Sequence, residues 1–265
     1  MAVNTLIFDS GVGGFSILQQ IRQAVPGLPT YYLMDNALFP YGIQPDNVLI
    51  ERIVKLCVRA CQEHDIDLVV IACNTASTLA LPALREALEV PVIGVVPAIK
   101  TAAKQSQTKQ IALLATPATI NRPYIDQLIK HYGEGCQVTR IGSSKLVKIA
   151  EDFWFQGKLD ITSLKDILQP LSENKNIDQL ILGCTHFPLV SKHIATLFPQ
   201  LTLVDSGEAI ARRICFVLTE LGHDLEDLQQ DNQAHQLITT AKIADKDAFM
   251  SACRRIAPYQ SFNII

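Results

Sequence analysis

The sequence contains no long hydrophobic run. Its longest wholly apolar stretches, such as residues 68–73, are far shorter than the roughly 18 residues that a membrane-spanning helix requires. The residues before Asp9 carry no positively charged segment of the kind that begins a signal peptide, and they lead directly into a predicted strand. We therefore expect a cytoplasmic protein with no membrane partner.

The sequence also lacks a large excess of either charge. It has 23 basic and 26 acidic side chains, which gives a net charge of −3. A protein with so little net charge exerts no general attraction on nucleic acid or on an anionic membrane surface. We expect no nucleic-acid partner, and any anionic ligand must be bound by local groups.

Paired cysteine motifs are missing as well. The seven cysteines are an odd number and include no C-x-x-C pair, which favours reduced thiols over a disulfide framework. Cys57 and Cys61 lie one turn apart in a predicted helix, and we interpret both as core residues. We expect no bound metal.

What the sequence does contain is a repeated stretch. One apolar run leads from Asp67 to Cys73, and a similar run leads from Asp178 to Cys184, 111 residues further along the chain. Short runs rich in Val, Ile and Leu predict strands that are buried on both faces of a parallel sheet. Because the spacing is about the length of one domain, the repeat predicts a duplicated α/β architecture with a thiol at a strand end in each half.

Strands and helices are predicted to alternate along the whole chain. The segments whose bounds are compared with the structure below are helices at residues 46–64, 120–132, 161–171 and 189–197, and a terminal pair of strands at residues 235–240 and 261–265.

Other polar side chains follow predicted strands at the same end as the two thiols. Open α/β sheets bind ligands beyond the carboxyl ends of their strands, so these side chains predict a ligand site. They are Asp9, Ser10, Tyr41, Asn74, Thr75, Thr116, Thr185 and His186.

Two thiols on opposite sides of a substrate suit a two-base proton transfer. One thiolate removes a proton from a carbon atom, and the other thiol donates a proton to the opposite face, which inverts the configuration. Hydroxyl, amide and backbone N–H donors would bind a substrate carboxylate and disperse the charge of a carbanion-like state. No cofactor motif is apparent.

The residues alone leave a nucleotide-binding interpretation open. Gly11 and Gly13 match the start of a G-x-G-x-x-G fingerprint, although Ser16 stands at its third position, and Asp35 lies 22 residues beyond Gly13 as a ribose ligand might. In a simpler interpretation, Asp9 and its neighbour only cap the helix that follows.

Three further interpretations concern the cysteines. Both could be small core residues, since free cysteine is among the most buried residue types. Cys73 could be the nucleophile of a hydrolase that uses a distant histidine as its base. A binding module without chemistry is also compatible with the pattern.

Four segments of the sequence resemble motifs of glutamate racemases, in the aspartate/glutamate racemase superfamily. They are residues 8–14 (FDSGVGG), 39–42 (FPYG), 72–76 (ACNTA) and 183–187 (GCTHF). The resemblance implies two pseudo-symmetric α/β domains with mainly parallel sheets and an active site in the cleft between them. It places residues 1–97 and 207–265 in the first domain and residues 98–206 in the second, and we expect a homodimer.

The resemblance also implies a reaction and the residues that carry it. It implies cofactor-independent interconversion of L- and D-glutamate, which supplies D-glutamate for peptidoglycan. Cys73 would be the base for the D-enantiomer and Cys184 the base for the L-enantiomer, while Asp9, His186 and Glu151 would assist proton transfer. We expect the substrate to be bound by Asp9, Ser10, Tyr41, Gly42, Asn74, Thr75, Thr116, Thr185 and His186.

An aspartate racemase is the nearest alternative within the same superfamily. It would use the same two thiols on a substrate that is one methylene shorter. Relatives that act on aspartate tend to have Glu at the position of His186, so the resemblance favours glutamate as the small-molecule partner.

Overall fold

The computed structural model describes residues 3–230 and 235–265. These residues form two compact units. The first consists of Met1–Val95 together with Gly207–Ile265, and the second consists of Val96–Ser206. The second unit is therefore a continuous segment, and the first is closed by the C-terminal part of the chain.

The first unit begins with a strict alternation of strands and helices. Every residue of its first and third strands is buried, as expected for the central strands of a parallel sheet that helices cover on both faces. The elements are β1 (Thr5–Asp9), α1 (Phe15–Ala24), β2 (Thr30–Met34), α2 (Asp46–His64), β3 (Leu68–Ile71), α3 (Asn74–Ala87) and β4 (Val92–Gly94).

The second unit repeats this alternation with a larger number of short helices. Its elements are α4 (Ile99–Gln105), β5 (Gln110–Ala115), α5 (Pro117–Ile120), α6 (Pro123–Tyr132), β6 (Gln137–Gly142), α7 (Ser144–Gln156), α8 (Ile161–Ile167), α9 (Gln169–Glu173), β7 (Gln179–Leu182), α10 (Ser191–Leu197) and β8 (Thr202–Val204).

Prolines change two of the helices that the sequence pattern predicted as single. The helix predicted at residues 120–132 begins only at Pro123, as α6, because Arg122 precedes this proline and takes an extended backbone with φ −79° and ψ 139°. Ile120 instead ends the separate short helix α5. The helix predicted at residues 161–171 is interrupted at Leu168, because Pro170 has no backbone N–H to continue the hydrogen bonds of α8. The first two residues of the helix predicted at 189–197 belong to a 3-10 turn, Phe187–Val190, and the α-helix begins at Ser191.

The C-terminal part of the chain completes the sheet of the first unit. It adds α11 (Gly207–Glu220), β9 (His235–Thr239), α12 (Lys246–Arg254) and β10 (Tyr259–Ile264). β9 pairs in parallel with β2, and β10 pairs in parallel with β9. The predicted terminal strands are therefore present, and the sheet order is β10-β9-β2-β1-β3-β4.

The duplication that the repeat predicted is visible in the strand order of each unit. The second sheet runs β6-β5-β7-β8, which is the order of β2-β1-β3-β4 in the first. Both sheets are parallel within the part of the chain that the structure describes. Cys73 follows β3 and Cys184 follows β7, so the two thiols occupy equivalent topological positions. None of the described helices combines the length and the apolar character that crossing a bilayer requires.

The aspartate that begins each repeated stretch lies at the opposite end of the strand from the thiol. Asp67 accepts a hydrogen bond from the backbone N–H of Asn4 at 2.8 Å. Asp178 accepts hydrogen bonds from Ser106 Oγ and from the backbone N–H groups of Gln107 and Thr108, at 2.7, 2.7 and 3.0 Å. Each carboxylate thus fixes the segment that leads into a neighbouring central strand.

We expect Asp178→Ala to lower the free energy of unfolding by about 1–3 kcal/mol at pH 7, because three donors lose their acceptor. Partial burial raises the pKa of Asp178, but the hydrogen bonds from Thr108, Ser106 and Gln107 together lower it by a larger amount. The pKa of Asp178 therefore lies below its ordinary value. A depressed pKa stabilises the fold above the unfolded-state pKa of about 3.9, and this stabilisation is lost as the pH falls through the folded-state value.

Urea unfolding at a series of pH values measures this effect. The difference between wild type and Asp178→Ala should shrink below about pH 4. The control is Asp166→Ala, which alters an exposed carboxylate on α8. An equal loss of stability in the control, or no loss in Asp178→Ala, would show that the hydrogen bonds to Asp178 do not stabilise the fold.

Candidate active site

In the first unit, the predicted site residues follow three neighbouring strands. β1 lies between β2 and β3, with Asp9 beside Met34 and Phe8 beside Ile71 in the register. Because the strands are parallel, the segments that follow them emerge at the same edge of the sheet. We call this group the first half-site. It consists of Asp9, Ser10, Tyr41, Gly42, Cys73, Asn74 and Thr75.

Cys73 lies at the junction between β3 and α3. It is the N-cap residue of α3, with an extended backbone, and only 6% of it is exposed. Its sulfur lies 3.8 Å from Ser10 Oγ. The backbone N–H groups of the first turn of α3 begin at Asn74, at the positive end of the helix dipole. This environment favours an anionic ligand next to the thiol.

Asn74 presents an unused donor in this half-site. Its side chain is buried, and within the described residues its Nδ2 has no hydrogen-bond partner. An amide left unpaired in this way costs about 1–3 kcal/mol. A ligand carboxylate would supply the acceptor that Asn74 lacks.

The glycine-rich segment after β1 is shaped by close packing around Asp9. Asp9 is fully buried and accepts a hydrogen bond from the backbone N–H of Gly11 at 2.9 Å. A Cβ atom at Gly14 would lie 2.7 Å from Cβ of Asp9 and 2.6 Å from the hydroxyl of Tyr32, so only glycine fits there. The N-cap residue of α1 is Gly14, and no side chain caps that helix. The interpretation of Asp9 and Ser10 as simple helix caps is therefore wrong.

Asp35 is not a nucleotide ligand. Its side chain is fully buried, and its carboxylate accepts hydrogen bonds from Arg52, Tyr41 and Thr240. With its oxygens turned toward protein donors, Asp35 has no access to a ribose. The nucleotide-binding interpretation is wrong for this reason.

Tyr41 and Gly42 belong to a short 3-10 turn, Tyr41–Ile43, in the segment between β2 and α2. The hydroxyl of Tyr41 donates to Asp35 Oδ2 at 2.6 Å. Burial raises the pKa of Tyr41, and the adjacent Asp35 carboxylate raises it further. Tyr41 is therefore a neutral phenol whose proton is committed to Asp35.

The second unit places Thr116, Cys184, Thr185 and His186 at the carboxyl ends of two paired strands. β5 pairs with β7, with Leu114 beside Leu182 in the register. Thr116 follows β5 and caps α5, because its Oγ1 accepts from the backbone N–H of Thr119 at 3.2 Å and donates to Thr119 Oγ1 at 3.0 Å. With Glu151 of α7, these residues form what we call the second half-site.

Cys184, His186 and Glu151 form a chain of acid and base groups. The sulfur of Cys184 lies 4.0 Å from Nδ1 of His186, and Nε2 of His186 lies 2.6 Å from Oε2 of Glu151. All three side chains are mostly buried, with 2% of the His186 side chain and 14% of the Glu151 side chain exposed. The family resemblance implied that Glu151 assists proton transfer at a thiol, and in the structure Glu151 contacts the ring of His186.

The ring of His186 carries a raised pKa. Burial alone would lower this pKa, but the hydrogen bonds to Cys184 and Glu151, together with the negative charge of Glu151, raise it well above the ordinary value for histidine. In the charged form, both ring nitrogens are donors. The ring can therefore hold a proton beside Cys184.

The hydrolase interpretation assigned a distant histidine to Cys73, and the structure brings a histidine, His186, to Cys184. Residues 3–230 and 235–265 contain no group of three or more His, Cys, Asp or Glu side chains arranged to ligate a metal ion.

The remaining five cysteines lie away from the ends of β3 and β7, and burial raises the pKa of each of these thiols. Cys57 is fully buried in the core of the first unit, and Cys61 packs against that core. Burial raises the pKa of Cys61 to about 11 and the pKa of Cys253 to about 12, so both thiols stay protonated at neutral pH. The interpretation of Cys57 and Cys61 as core residues is confirmed.

Comparison with known proteins identifies the family of this chain. The family model described as Asp/Glu/Hydantoin racemase matches residues 13–214. The chain belongs to the Asp/Glu/hydantoin racemase family.

Among the relatives in this family, a glutamate racemase from Histophilus somni (strain 129Pt) is 46% identical over 214 residues, which are 80% of each chain. A glutamate racemase from Photorhabdus laumondii is 49% identical over 215 residues, which are 80% of this chain and 75% of that one. A crystal structure of Escherichia coli glutamate racemase, in complex with L-glutamate and the activator UDP-MurNAc-ala, has a TM-score of 0.90 and 36% identity and covers 100% of this chain and 98% of its own.

We expect Glu151→Gln to lower the pKa of His186, because the substitution removes a negative charge and leaves the ring buried. NMR titration of the histidine ring measures this change directly. A group whose pKa is raised in the folded state stabilises the fold. This stabilisation is fully present below the unfolded-state pKa of about 6.5, and it is lost as the pH rises through the folded-state pKa. The stability advantage of wild type over Glu151→Gln should therefore be largest in acid and should decrease with rising pH.

The matched control is Asp152→Asn, at the next position of α7. Asp152 pairs with Lys148 at 3.7 Å on the outer side of the helix, so its loss should leave the titration of His186 nearly unchanged. If Glu151→Gln and Asp152→Asn shift the His186 titration equally, the contact between Glu151 and the ring does not control its proton.

Proposed function

We propose that the two half-sites act together on one glutamate and interconvert its L- and D-enantiomers. The observation that carries this proposal is the duplication of the thiol. Each unit has a buried free cysteine directly after the equivalent strand, and each cysteine has its own polar partner, Ser10 for Cys73 and His186 for Cys184. A single-nucleophile reaction would need only one such thiol.

The proposed reaction begins with the L-enantiomer at Cys184. The thiolate of Cys184 takes the proton from Cα, and the electron pair of the broken C–H bond spreads into the adjacent carboxylate. The thiol of Cys73 then donates its proton to the opposite face of the planar carbon, which gives D-glutamate. Cys184 ends as a thiol and Cys73 as a thiolate, so the reverse reaction begins at Cys73.

The neighbours of the thiols would manage protons and bind the substrate. His186, held by Glu151, keeps a proton beside Cys184, and we propose that Asp9 has the corresponding function in the first half-site. The substrate carboxylates would be bound by side-chain and backbone donors, which stabilise the charge that develops during proton removal. The proposed donors are Ser10, Asn74, Thr75, Thr116 and Thr185, together with the backbone N–H groups of the segment that contains Tyr41 and Gly42.

Two observations favour glutamate as the substrate. The relatives with 46% and 49% identity are glutamate racemases, and the E. coli protein with a TM-score of 0.90 binds L-glutamate. We further propose that the product D-glutamate supplies peptidoglycan synthesis. We also propose a cytoplasmic location, since the chemistry needs both thiols in their reduced form. The proposed assembly is a homodimer.

We expect Cys73→Ser and Cys184→Ser each to lower the rate of inversion by about 10²–10⁴-fold, because each removes one of the two proton-transfer groups. The measurement is wash-in of solvent deuterium at Cα of each enantiomer in D₂O, with no cofactor added, alongside polarimetry for inversion. Cys73→Ser keeps Cys184 and should still exchange the α-hydrogen of L-glutamate, but without inversion. Cys184→Ser keeps Cys73 and should still exchange the α-hydrogen of D-glutamate, also without inversion. Cys136→Ser, at a half-buried cysteine of the second unit, is the control.

This experiment separates the proposed reaction from its rivals. Full inversion in either strand-end variant would exclude a two-thiol mechanism. Ester or amide hydrolysis that depends on Cys184 and His186, without any deuterium wash-in, would indicate a thiol hydrolase. A binding module would exchange no α-hydrogen in the wild-type protein.

We expect wild-type kcat/KM for L-glutamate to exceed that for L-aspartate by about 10–200-fold, the usual discrimination for one methylene group. Coupled assays with both amino acids under identical conditions measure the ratio. A preference for L-aspartate would reassign the protein to the aspartate racemases while leaving the two-thiol reaction intact.

A further inference from the structure

Asp35 lies directly after β2 and receives four hydrogen bonds. Arg52 donates from Nε to Oδ2 at 2.6 Å and from Nη2 to Oδ1 at 2.7 Å. Tyr41 donates its hydroxyl to Oδ2 at 2.6 Å, and Thr240 donates its hydroxyl to Oδ1 at 2.5 Å. The side chain of Asp35 is fully buried.

A buried carboxylate of this kind depends on its partners. Moving a charge out of water is costly unless the charge is paired and its lone pairs accept hydrogen bonds. Arg52 supplies the opposite charge through a two-point contact that fixes both oxygens of Asp35 in one orientation. That orientation determines where the hydroxyl of Tyr41 must lie.

The three residues that donate these four hydrogen bonds come from separate parts of the first unit. Arg52 belongs to α2, Tyr41 belongs to the segment before α2, and Thr240 follows β9 in the C-terminal part of the chain. Asn36, next to Asp35, reinforces the last connection, because its side chain accepts from the backbone N–H groups of Thr240 and Ala241 and donates to the carbonyl of Ala241. Asp35 thereby connects the segment of Tyr41 and Gly42 to α2 and to the segment that follows β9.

We propose that Arg52 and Asp35 are positioning residues for substrate binding. They act by fixing the position of Tyr41 and Gly42 through the hydrogen bond between Tyr41 and Asp35. The C-terminal part of the chain contributes to the same function through Thr240. This inference rests on the proposed function, because it gives the segment of Tyr41 and Gly42 a substrate to bind.

The arrangement also defines how Tyr41 meets that substrate. Its hydroxyl proton is directed to Asp35, so toward a ligand the phenol oxygen is an acceptor. An acceptor at this position suits the ammonium group of an amino acid better than its carboxylates. Arg52 and Asp35 thus affect binding of the substrate more than the proton transfer at its Cα.

The test compares three variants with wild type and with a control on the same helix. Arg52→Gln removes the charge, Arg52→Lys keeps the charge but not the two-point contact, and Thr240→Val removes one donor to Asp35. Arg59→Gln is the control, because Arg59 pairs with Glu63 on an exposed part of α2. The measurements are KM and kcat for both enantiomers, the amide hydrogen exchange of residues 39–44, and the unfolding temperature.

We expect Arg52→Gln to raise KM for glutamate by about tenfold or more, with kcat changed by less than about threefold. Amide exchange in residues 39–44 should become faster. Arg52→Lys should recover part of the affinity, Thr240→Val should show a smaller rise in KM, and Arg59→Gln should match wild type. If Arg52→Gln does not fold, the Arg52→Lys and Thr240→Val variants carry the comparison.

Unchanged KM and unchanged exchange in the folded variants would overturn the inference. A fall in kcat together with a fall in active enzyme, at constant KM, would show that Arg52 only stabilises the fold. If the wild-type protein does not racemise glutamate, the proposed function fails instead, and the exchange of residues 39–44 still decides whether Arg52 and Asp35 hold that segment.

Discussion

Both half-sites depend on one constraint, which is the parallel pairing of two strands. In each unit, the strand that a cysteine follows pairs with a central strand of the sheet. β3 pairs with β1 and β7 pairs with β5, so the residues that follow each pair emerge at a common edge. Buried, fully hydrogen-bonded strands fix these edges, and each cysteine stands where its strand ends. Every contact described for Cys73 and Cys184 is a consequence of that placement.

Much of this arrangement follows from local sequence. The apolar runs that end in Cys73 and Cys184 have the length and composition of buried strands, and the amphipathic pattern of residues 46–64 gives the bounds of α2. The identity of residues at the strand ends could also be predicted, because a strand end is a local feature. The start of α6 at Pro123 and the break between α8 and α9 before Pro170 follow from local chemistry too, although the apolar periodicity concealed them.

The contacts between distant segments could not be predicted in this way. Glu151 and His186 are 35 residues apart, and Asp35 and Thr240 are 205 residues apart. Their meeting depends on how helices and strands pack, which the pattern of a single segment does not specify. Asp35 shows the difficulty, since its spacing from Gly13 suggested a ribose ligand while its buried contacts bind it to Arg52.

The position of β9 in the sheet has a consequence for biosynthesis. β2 lies between β1 and β9, but β9 is separated from it in sequence by the whole of Val96–Ser206. During translation, the second unit is complete before the ribosome has made the strand that covers the edge of β2. Until then β2 exposes unpaired N–H and C=O groups along one side, and an open edge of this kind is a template for pairing with another strand.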